Sequence, residues 1–214
     1  MVSDPPTVAI LMPAQTRQQM LTPQAMESLR RFARVRVPSG PTVTVADVAA
    51  LLDGAVAGIT GWGTPPLSLD LLSDRPALRL VAHTAGSIRK LVPVAAMERG
   101  LRVSHAAAII ADAVAEFVVS QALLALRHPH AIDRGMKAGA DWQDLRNRYL
   151  GRLLGARTVG VVGAGYVGRK VIRLLQAFGA NVIVSDPVLG SDAAAALGVT
   201  PRPLDDLFAE SEIV

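Results

Sequence analysis

Three glycines follow a β-branched run at a spacing that suits a phosphate-binding turn. Gly163, Gly165 and Gly168 form a single G-x-G-x-x-G directly after Thr158–Val162, which is predicted to be a buried strand. The first glycine permits a tight turn, the second lets the backbone approach a diphosphate, and the third lets the following helix pack closely on the strand. The phosphates would lie at the amino end of that helix, where unpaired amides and the helix dipole favour negative charge.

An aspartate stands where it could complete a dinucleotide site. Asp186 comes 18 residues after the third glycine, at the carboxyl end of a second predicted strand, Asn181–Ser185. A carboxylate at this position can accept hydrogen bonds from an adenosine ribose, and its charge would repel a 2′-phosphate. We therefore expect NAD rather than NADP as the cofactor. Tyr166 and Val167 are predicted to line the phosphate loop, and Pro187 directly follows the aspartate.

The composition is that of a globular chain without thiol chemistry. Half of the 214 residues are hydrophobic, which is enough to bury a substantial core. The absence of cysteine excludes disulfides, thiolate nucleophiles and cysteine-ligated zinc, and no histidine spacing typical of a metal site is present. The net charge of +4 comes from scattered arginines, which favour a solvated basic surface over nucleic-acid binding.

Strand and helix patterns alternate along the first half of the chain. The predicted strands cover residues 7–12, 34–38, 55–60, 78–84 and 101–105, and the predicted helices lie near 23–33, 46–53, 68–73 and 89–99. This alternation predicts an α/β fold, with a flavodoxin-like parallel-sheet domain over residues 1–106. A second strand–helix–strand unit over residues 158–214 predicts the first half of a Rossmann domain. Residues 107–157 would be an interdomain helix and a polar, irregular connection.

The most hydrophobic stretch, residues 106–126, is long enough to span a bilayer. Asp112, Glu116 and Gln121 interrupt it, and an acidic residue near the centre of a membrane helix costs roughly 2.5 to 3.5 kcal/mol. We expect a buried helix of a soluble protein, with no membrane contact. The amino terminus has no basic segment before its short apolar run and does not resemble a signal peptide, so a cytoplasmic location is expected.

Three segments, in order, resemble the D-isomer-specific 2-hydroxyacid dehydrogenases. Residues 153–187 resemble the cofactor motif of that family, including Phe-Gly before the second strand and Asp-Pro after it. "AVAEFVVSQALLALR", residues 113–127, is similar to the family's interdomain helix, and "GADW", residues 139–142, lies where the family has a Trp ahead of the cofactor domain. The resemblance implies hydride transfer between NAD and C2 of a small 2-oxo or 2-hydroxy acid, in a homodimer packed partly through the interdomain helix.

The catalytic arginine, glutamate and histidine of that family would follow Val214, so no catalytic residue is assigned. We expect the chain to be truncated within the NAD-binding domain, and residues 1–214 alone not to catalyse hydride transfer. Two alternatives stay open. One is a catalytically silent dinucleotide-binding protein or sensor, and the other is an S-adenosylmethionine-dependent transferase, against which the Phe-Gly and Asp-Pro pairs favour NAD.

The resemblance also implies a loop that holds the substrate carboxylate. This loop consists of Thr84, Ala85, Gly86 and Ser87. It follows a predicted strand and precedes a predicted helix, so its amides are expected to form an anion cradle, although a plain strand-to-helix turn would have the same pattern.

The loop departs from the family pattern, which leaves the substrate open. Thr84 replaces a glycine, and Arg89 follows the loop where the family has an acidic residue. His83 and His105 end predicted strands and could face the substrate, but a structural role is the stronger interpretation of both.

Overall fold

The computed structural model describes residues 4–214. The chain divides between Ala107 and Ala108 into two compact units, so the long apolar helix belongs almost entirely to the second unit.

The first unit is built on a five-stranded parallel sheet with the order β2-β1-β3-β4-β5. Its strands are β1 (Thr7–Ile10), β2 (Arg34–Arg36), β3 (Ala57–Thr60), β4 (Leu80–His83) and β5 (Arg102–His105). Its helices are α1 (Ala14–Met20), α2 (Pro23–Arg30), α3 (Val45–Leu52), α4 (Leu69–Ser73) and α5 (Val94–Glu98). The order 2-1-3-4-5 is that of flavodoxin-like folds, which confirms the predicted fold class.

The core of this unit forms where central strands meet helices. Every residue of β1 is buried, because the strand lies between β2 and β3. Val48 and Leu52 lie one turn apart on α3 and are fully buried in the same cluster as Val81 of β4. The start of α3 is fixed locally, since Thr44 and Asp47 form a reciprocal capping box.

One helix of the first unit begins later than predicted. The pattern predicts a helix over residues 89–99, but α5 begins at Val94, after Pro93, and the preceding residues form turns closed by hydrogen bonds from Leu91 and Val92 to the carbonyl oxygen of Ile88. Proline lacks an amide hydrogen and favours the first turn of a helix, which explains the later start. The helix that was predicted to follow the loop at residues 84–87 is present, but it begins at Val94.

The second unit carries a Rossmann-like sheet with the order β6-β7-β8. Its strands are β6 (Thr158–Val162), β7 (Asn181–Ser185) and β8 (Thr200–Pro201). Its helices are α6 (Ala107–Arg127), α7 (Pro129–Lys137), α8 (Trp142–Arg148), α9 (Tyr166–Ala177), α10 (Ser191–Leu197) and α11 (Leu204–Glu210), with a 3-10 turn at Leu154–Ala156. Ile213 forms a parallel bridge with Val159 at the other edge of β6. All pairings are parallel, as the Rossmann prediction requires.

The connection expected to be irregular is largely helical. Residues 128–156 contain α7 and α8, so that expectation is wrong. Asp141 caps α8, its side chain accepting hydrogen bonds from the amides of Gln143 and Asp144. Neither helix has more than one buried residue. Their sequences therefore lack the apolar residues at every third or fourth position by which a helix is predicted.

Helix α6 is buried on one face only. Ala111, Ala115 and Val119 are buried, and the last two join the core of the second unit. The large apolar side chains left exposed on the helix are Ile109, Val114, Phe117 and Val118. The helix is long and apolar enough to cross a membrane by length and composition, with 22% of its most apolar window buried. The expectation of a buried helix therefore fails for the exposed face.

Candidate functional site

The glycine turn joins β6 to α9 in the second unit. Gly163 has a φ of 94°, a conformation that residues with side chains rarely adopt, and its amide donates to the carbonyl oxygen of Ser185 at 2.8 Å. Gly165 is the N-cap residue of α9. The turn therefore connects the carboxyl ends of β6 and β7 and places the amino end of α9 directly beside them.

Gly165 and Gly168 have different roles in the turn, since one faces open space and the other allows close packing of α9. A Cβ at Gly168 would lie 1.9 Å from the carbonyl oxygen of Gly163, so only glycine lets α9 approach the turn this closely. A Cβ at Gly165 would meet nothing within 4 Å, so open space lies above that residue. Within the described chain nothing accepts a hydrogen bond from the Gly165 amide. This open, amide-lined surface at a helix amino end suits a diphosphate.

Asp186 is tied to the same turn. Its Oδ2 accepts a hydrogen bond from the amide of Ala164 at 2.6 Å, and its Oδ1 accepts one from the amide of Val188 at 2.8 Å. The Ala164 and Val188 amides hold the pKa of the Asp186 carboxyl below its usual value, although partial desolvation acts in the opposite direction. The group is ionised at neutral pH, and each oxygen keeps acceptor capacity for a ribose hydroxyl.

Arg169 is a site residue that the sequence pattern did not predict. Its Nε donates to the carbonyl oxygen of Ala164 at 2.8 Å, so Asp186 and Arg169 hold the amide and the carbonyl of the same residue. The positive charge of Arg169 also contributes to the lowered pKa of Asp186. The only signal in the sequence is a basic residue directly after the third glycine.

The other residues predicted to contact the cofactor, Tyr166, Val167 and Pro187, differ in the exposure of their side chains. The side chains of Tyr166 and Pro187 are exposed, next to the turn and next to Asp186 respectively. Val167 is partly buried and packs against the core of the second unit. Its side chain therefore supports α9, and its amide is the group that can face a ligand.

In the first unit, the loop after β4 presents free amides. The amide and the hydroxyl of Thr84 both donate to the carbonyl oxygen of Thr60, at 2.9 and 3.1 Å, which fixes the start of the loop against β3. Ala85 is buried, while Gly86 and Ser87 are exposed. Nothing in residues 4–214 accepts a hydrogen bond from the amides of these last three residues. The anion cradle thus stays a prediction that rests on loop amides, without a helix amino end.

The two histidines beside the loop both have structural partners. His83 and His105 are paired in register on β4 and β5. His83 is buried, with Nδ1 3.0 Å from the hydroxyl oxygen of Thr60, and burial, followed by the charge of His105, lowers its pKa. The Nδ1 of His105 accepts a hydrogen bond from the amide of Ala107, at the start of α6. Arg89 is exposed on the turn that follows the loop.

The two carboxylates on α6 line one shallow groove of the second unit. Asp112 forms an ion pair with Lys170 of α9, and Glu116 lies beside it in a shallow groove that Arg173 also lines. In the part of the chain that the structure describes, no three carboxylate or imidazole groups come close enough to hold a metal ion.

Comparisons with known proteins agree on one family that this chain is similar to. Residues 119–214 match the family described as D-isomer specific 2-hydroxyacid dehydrogenase, NAD binding domain. A glyoxylate reductase from Aeropyrum pernix is 29% identical over 201 residues, which cover 90% of this chain and 58% of the relative. The family description includes NAD binding, as the glycine turn predicts.

Solved structures extend the similarity over both units. A phosphoglycerate oxidoreductase from Rhizobium etli is 26% identical with a TM-score of 0.74, covering 96% of this chain and 63% of that one. A D-lactate dehydrogenase from Aquifex aeolicus, solved with NAD and lactic acid, has the same fold, with 24% identity and a TM-score of 0.72 over 96% of this chain and 58% of that one. The chain thus spans less than two thirds of the length of these proteins.

Proposed function

We propose that the protein is an oxidoreductase of the D-isomer-specific 2-hydroxyacid dehydrogenase type, the family whose model matches residues 119–214, and that it uses NAD to interconvert a small 2-oxo acid and its 2-hydroxy acid. The observation that carries the proposal is the turn at Gly163–Gly168, where open space above Gly165 adjoins a carboxylate held by the turn itself. This combination suits a diphosphate followed by a ribose.

The cofactor would be held by backbone and by one carboxylate. The diphosphate would contact the Gly165 amide and the first turn of α9, and the adenosine ribose would donate to the oxygens of Asp186. The charge of Asp186 opposes a 2′-phosphate, although Arg169 lies near enough to offset part of that repulsion. We therefore propose NAD as the preferred cofactor, with the nicotinamide supplying or accepting the hydride.

The substrate would be held by the loop of the first unit. The free amides of Ala85, Gly86 and Ser87 are suited to a carboxylate, which accepts several hydrogen bonds from adjacent backbone groups. Because a relative is named glyoxylate reductase, glyoxylate and similarly small 2-oxo acids are the first substrates to test.

Nuclear magnetic resonance with oxamate, an unreactive 2-oxo acid analogue, tests the substrate site directly. We expect the amide signals of Ala85, Gly86 and Ser87 to shift with saturation, because the carboxylate accepts their hydrogen bonds. Acetamide, which lacks the carboxylate, should leave them unchanged. Shifts confined to other residues would contradict the assignment of the loop.

A turnover assay tests the reaction itself. NADH oxidation with pyruvate, glyoxylate or hydroxypyruvate as acceptor is expected only from a protein that also carries the catalytic arginine, glutamate and histidine implied by the resemblance. For such a protein methyl pyruvate, whose carboxylate is esterified, should be a much poorer substrate than pyruvate. Equal rates with pyruvate and its ester would exclude carboxylate recognition as the basis of specificity.

We also propose that the exposed face of α6 packs against a second copy of the chain. Phe117 is 63% exposed and lies among other large apolar side chains of the helix, a surface that a monomer in water seldom leaves uncovered. Asp112 and Glu116 make membrane insertion of the same helix costly. A homodimer outside the membrane is the arrangement that both observations favour, and we propose a cytoplasmic location for it.

Sedimentation of two matched variants tests the dimer. Phe117→Glu should shift the protein from dimer to monomer, because the new charge would be buried in the interface. Phe32→Glu is the control, since Phe32 is 61% exposed in the first unit and lies outside α6. A wild-type monomer, or equal behaviour of the two variants, would contradict the proposal.

A further inference from the structure

A cavity in the first unit lies at the amino ends of β4 and β5. Its volume is about 300 Å³, and its walls come from α4, α5 and the turns that precede the two strands. Three arginines line it, Arg75, Arg79 and Arg99, and no acidic side chain does. The loop at residues 84–87 follows the opposite, carboxyl end of β4, so the cavity is separate from the proposed substrate site.

Arg75 has a structural role that leaves its charge uncompensated. Its Nη1 donates to the carbonyl oxygen of Leu71 at 2.9 Å, and its Nη2 donates to that of Ala49 at 2.9 Å. These bonds connect α4 to α3. Both acceptors are neutral, so these bonds leave the positive charge of Arg75 without a counter-charge in the described chain.

The other two arginines are available to a ligand. Arg99 donates from Nη1 to the hydroxyl of Ser73 at 2.8 Å, and its remaining donors are unpaired in the described chain. The guanidinium of Arg79 forms no hydrogen bond or ion pair within residues 4–214. Arg79 and Arg99 are both exposed, so their side chains can reorient toward a ligand.

Within residues 4–214 no carboxylate forms an ion pair with these three arginines. The acidic residues nearby in sequence are Asp70, Asp74 and Glu98, but none lines the cavity and none is ion-paired with the three arginines. Three like charges around one small cavity repel one another, and an anion with several oxygens would relieve that repulsion.

We propose that this cavity binds a small phosphate-bearing anion. A guanidinium presents a planar fork of donors that fits phosphate oxygens in pairs, and a phosphate dianion can accept from two or three arginines at once, whereas a single carboxylate can neutralise only one. Leu72, Leu78 and Ala96 form a buried apolar floor, on which the carbon part of a phosphate ester can rest. The ligand class is therefore a phosphate monoester, with inorganic phosphate as the minimal case.

Calorimetric titration with inorganic phosphate and with phenyl phosphate, at constant ionic strength, tests the proposal. Saturable binding is expected for both, with phenyl phosphate tighter because of the apolar floor. The double variant Arg79→Gln/Arg99→Gln should weaken binding by about tenfold or more, since it removes charge-assisted hydrogen bonds. Arg30→Gln, an exposed arginine of α2 outside the cavity, should change the affinity by less than about twofold.

Amide signals in the wild-type chain locate the bound phosphate without relying on a variant. Shifts at Ser73 and Gly100 support the cavity, while shifts confined to Gly165 or Gly86 would place the anion in the cofactor or substrate site and overturn the proposal. Binding that is not saturable, or an equal loss in Arg30→Gln and in the double variant, would also overturn it.

Discussion

Replacing Gly165 with valine is expected to abolish dinucleotide binding without disturbing the fold. The backbone at Gly165, with φ −75° and ψ −159°, suits any residue, and a Cβ there meets no atom within 4 Å. The valine side chain would instead occupy the space in which a diphosphate must approach to hydrogen-bond distance of the turn. Losing two charge-assisted hydrogen bonds amounts to about 3 to 6 kcal/mol, which weakens binding by more than about a hundredfold.

Gly190→Val is the matched control for this experiment. Gly190 is also the N-cap residue of a helix, α10, with extended backbone, and a Cβ added to it would meet no atom within 4 Å. Both variants should therefore share the same small loss of stability, about 1 kcal/mol or less for a poorer cap, in thermal unfolding. Fluorescence titration with NADH should distinguish them. If the dissociation constants of the two variants agree within about threefold, the turn does not bind the diphosphate.

Three further predictions concern the same turn and the histidine of the first unit. Gly168→Ala should destabilise the chain by about 1 to 3 kcal/mol in urea unfolding, because its Cβ would lie 1.9 Å from the oxygen of Gly163; unchanged stability would show that the close approach does not exist. Asp186→Ser should weaken NADH binding roughly tenfold and reduce the difference between the affinities for NADH and NADPH. Unchanged NADH affinity would show that Asp186 does not contact the cofactor. Because the pKa of His83 is lowered from 6.5, the unfolded chain binds more protons just below that pH, so stability should fall as the pH drops through this range. Urea unfolding at several pH values should show this fall in the wild type and a weaker one in His83→Gln; identical profiles would contradict it.

The strand, turn and helix around the glycines were predictable because their signals are local. The β-branched run of β6, the positive φ required at Gly163 and the apolar face of α9 each depend on a few neighbouring residues. The aspartate at the end of β7 follows from the same register, since parallel strands bring their carboxyl ends to one edge.

The features that the sequence did not predict depend on groups distant in sequence or on weak local patterns. Arg169 matters because it reaches back to the carbonyl of Ala164, a contact that spacing alone does not indicate. Helices α7 and α8 bury almost no side chains, so no apolar period marks them. Pro93 starts α5, and a prediction that ignores this signal places a helix too close to the loop after β4.

The exposed face of α6 was also beyond a sequence pattern. A helix that is apolar nearly all round gives the same signal whether its second face is covered by its own chain, by another copy or by nothing. Only the packing of Ala115 and Val119 shows which face the second unit uses.

Calorimetric titration of the chain with NADH, NADPH and S-adenosylmethionine tests the central claim most directly. We predict saturable binding of one NADH per chain, displacement by NAD, weaker binding of NADPH and no binding of S-adenosylmethionine. A chain that binds S-adenosylmethionine more tightly than NADH, or that shows no saturable NADH binding while folded, would contradict it.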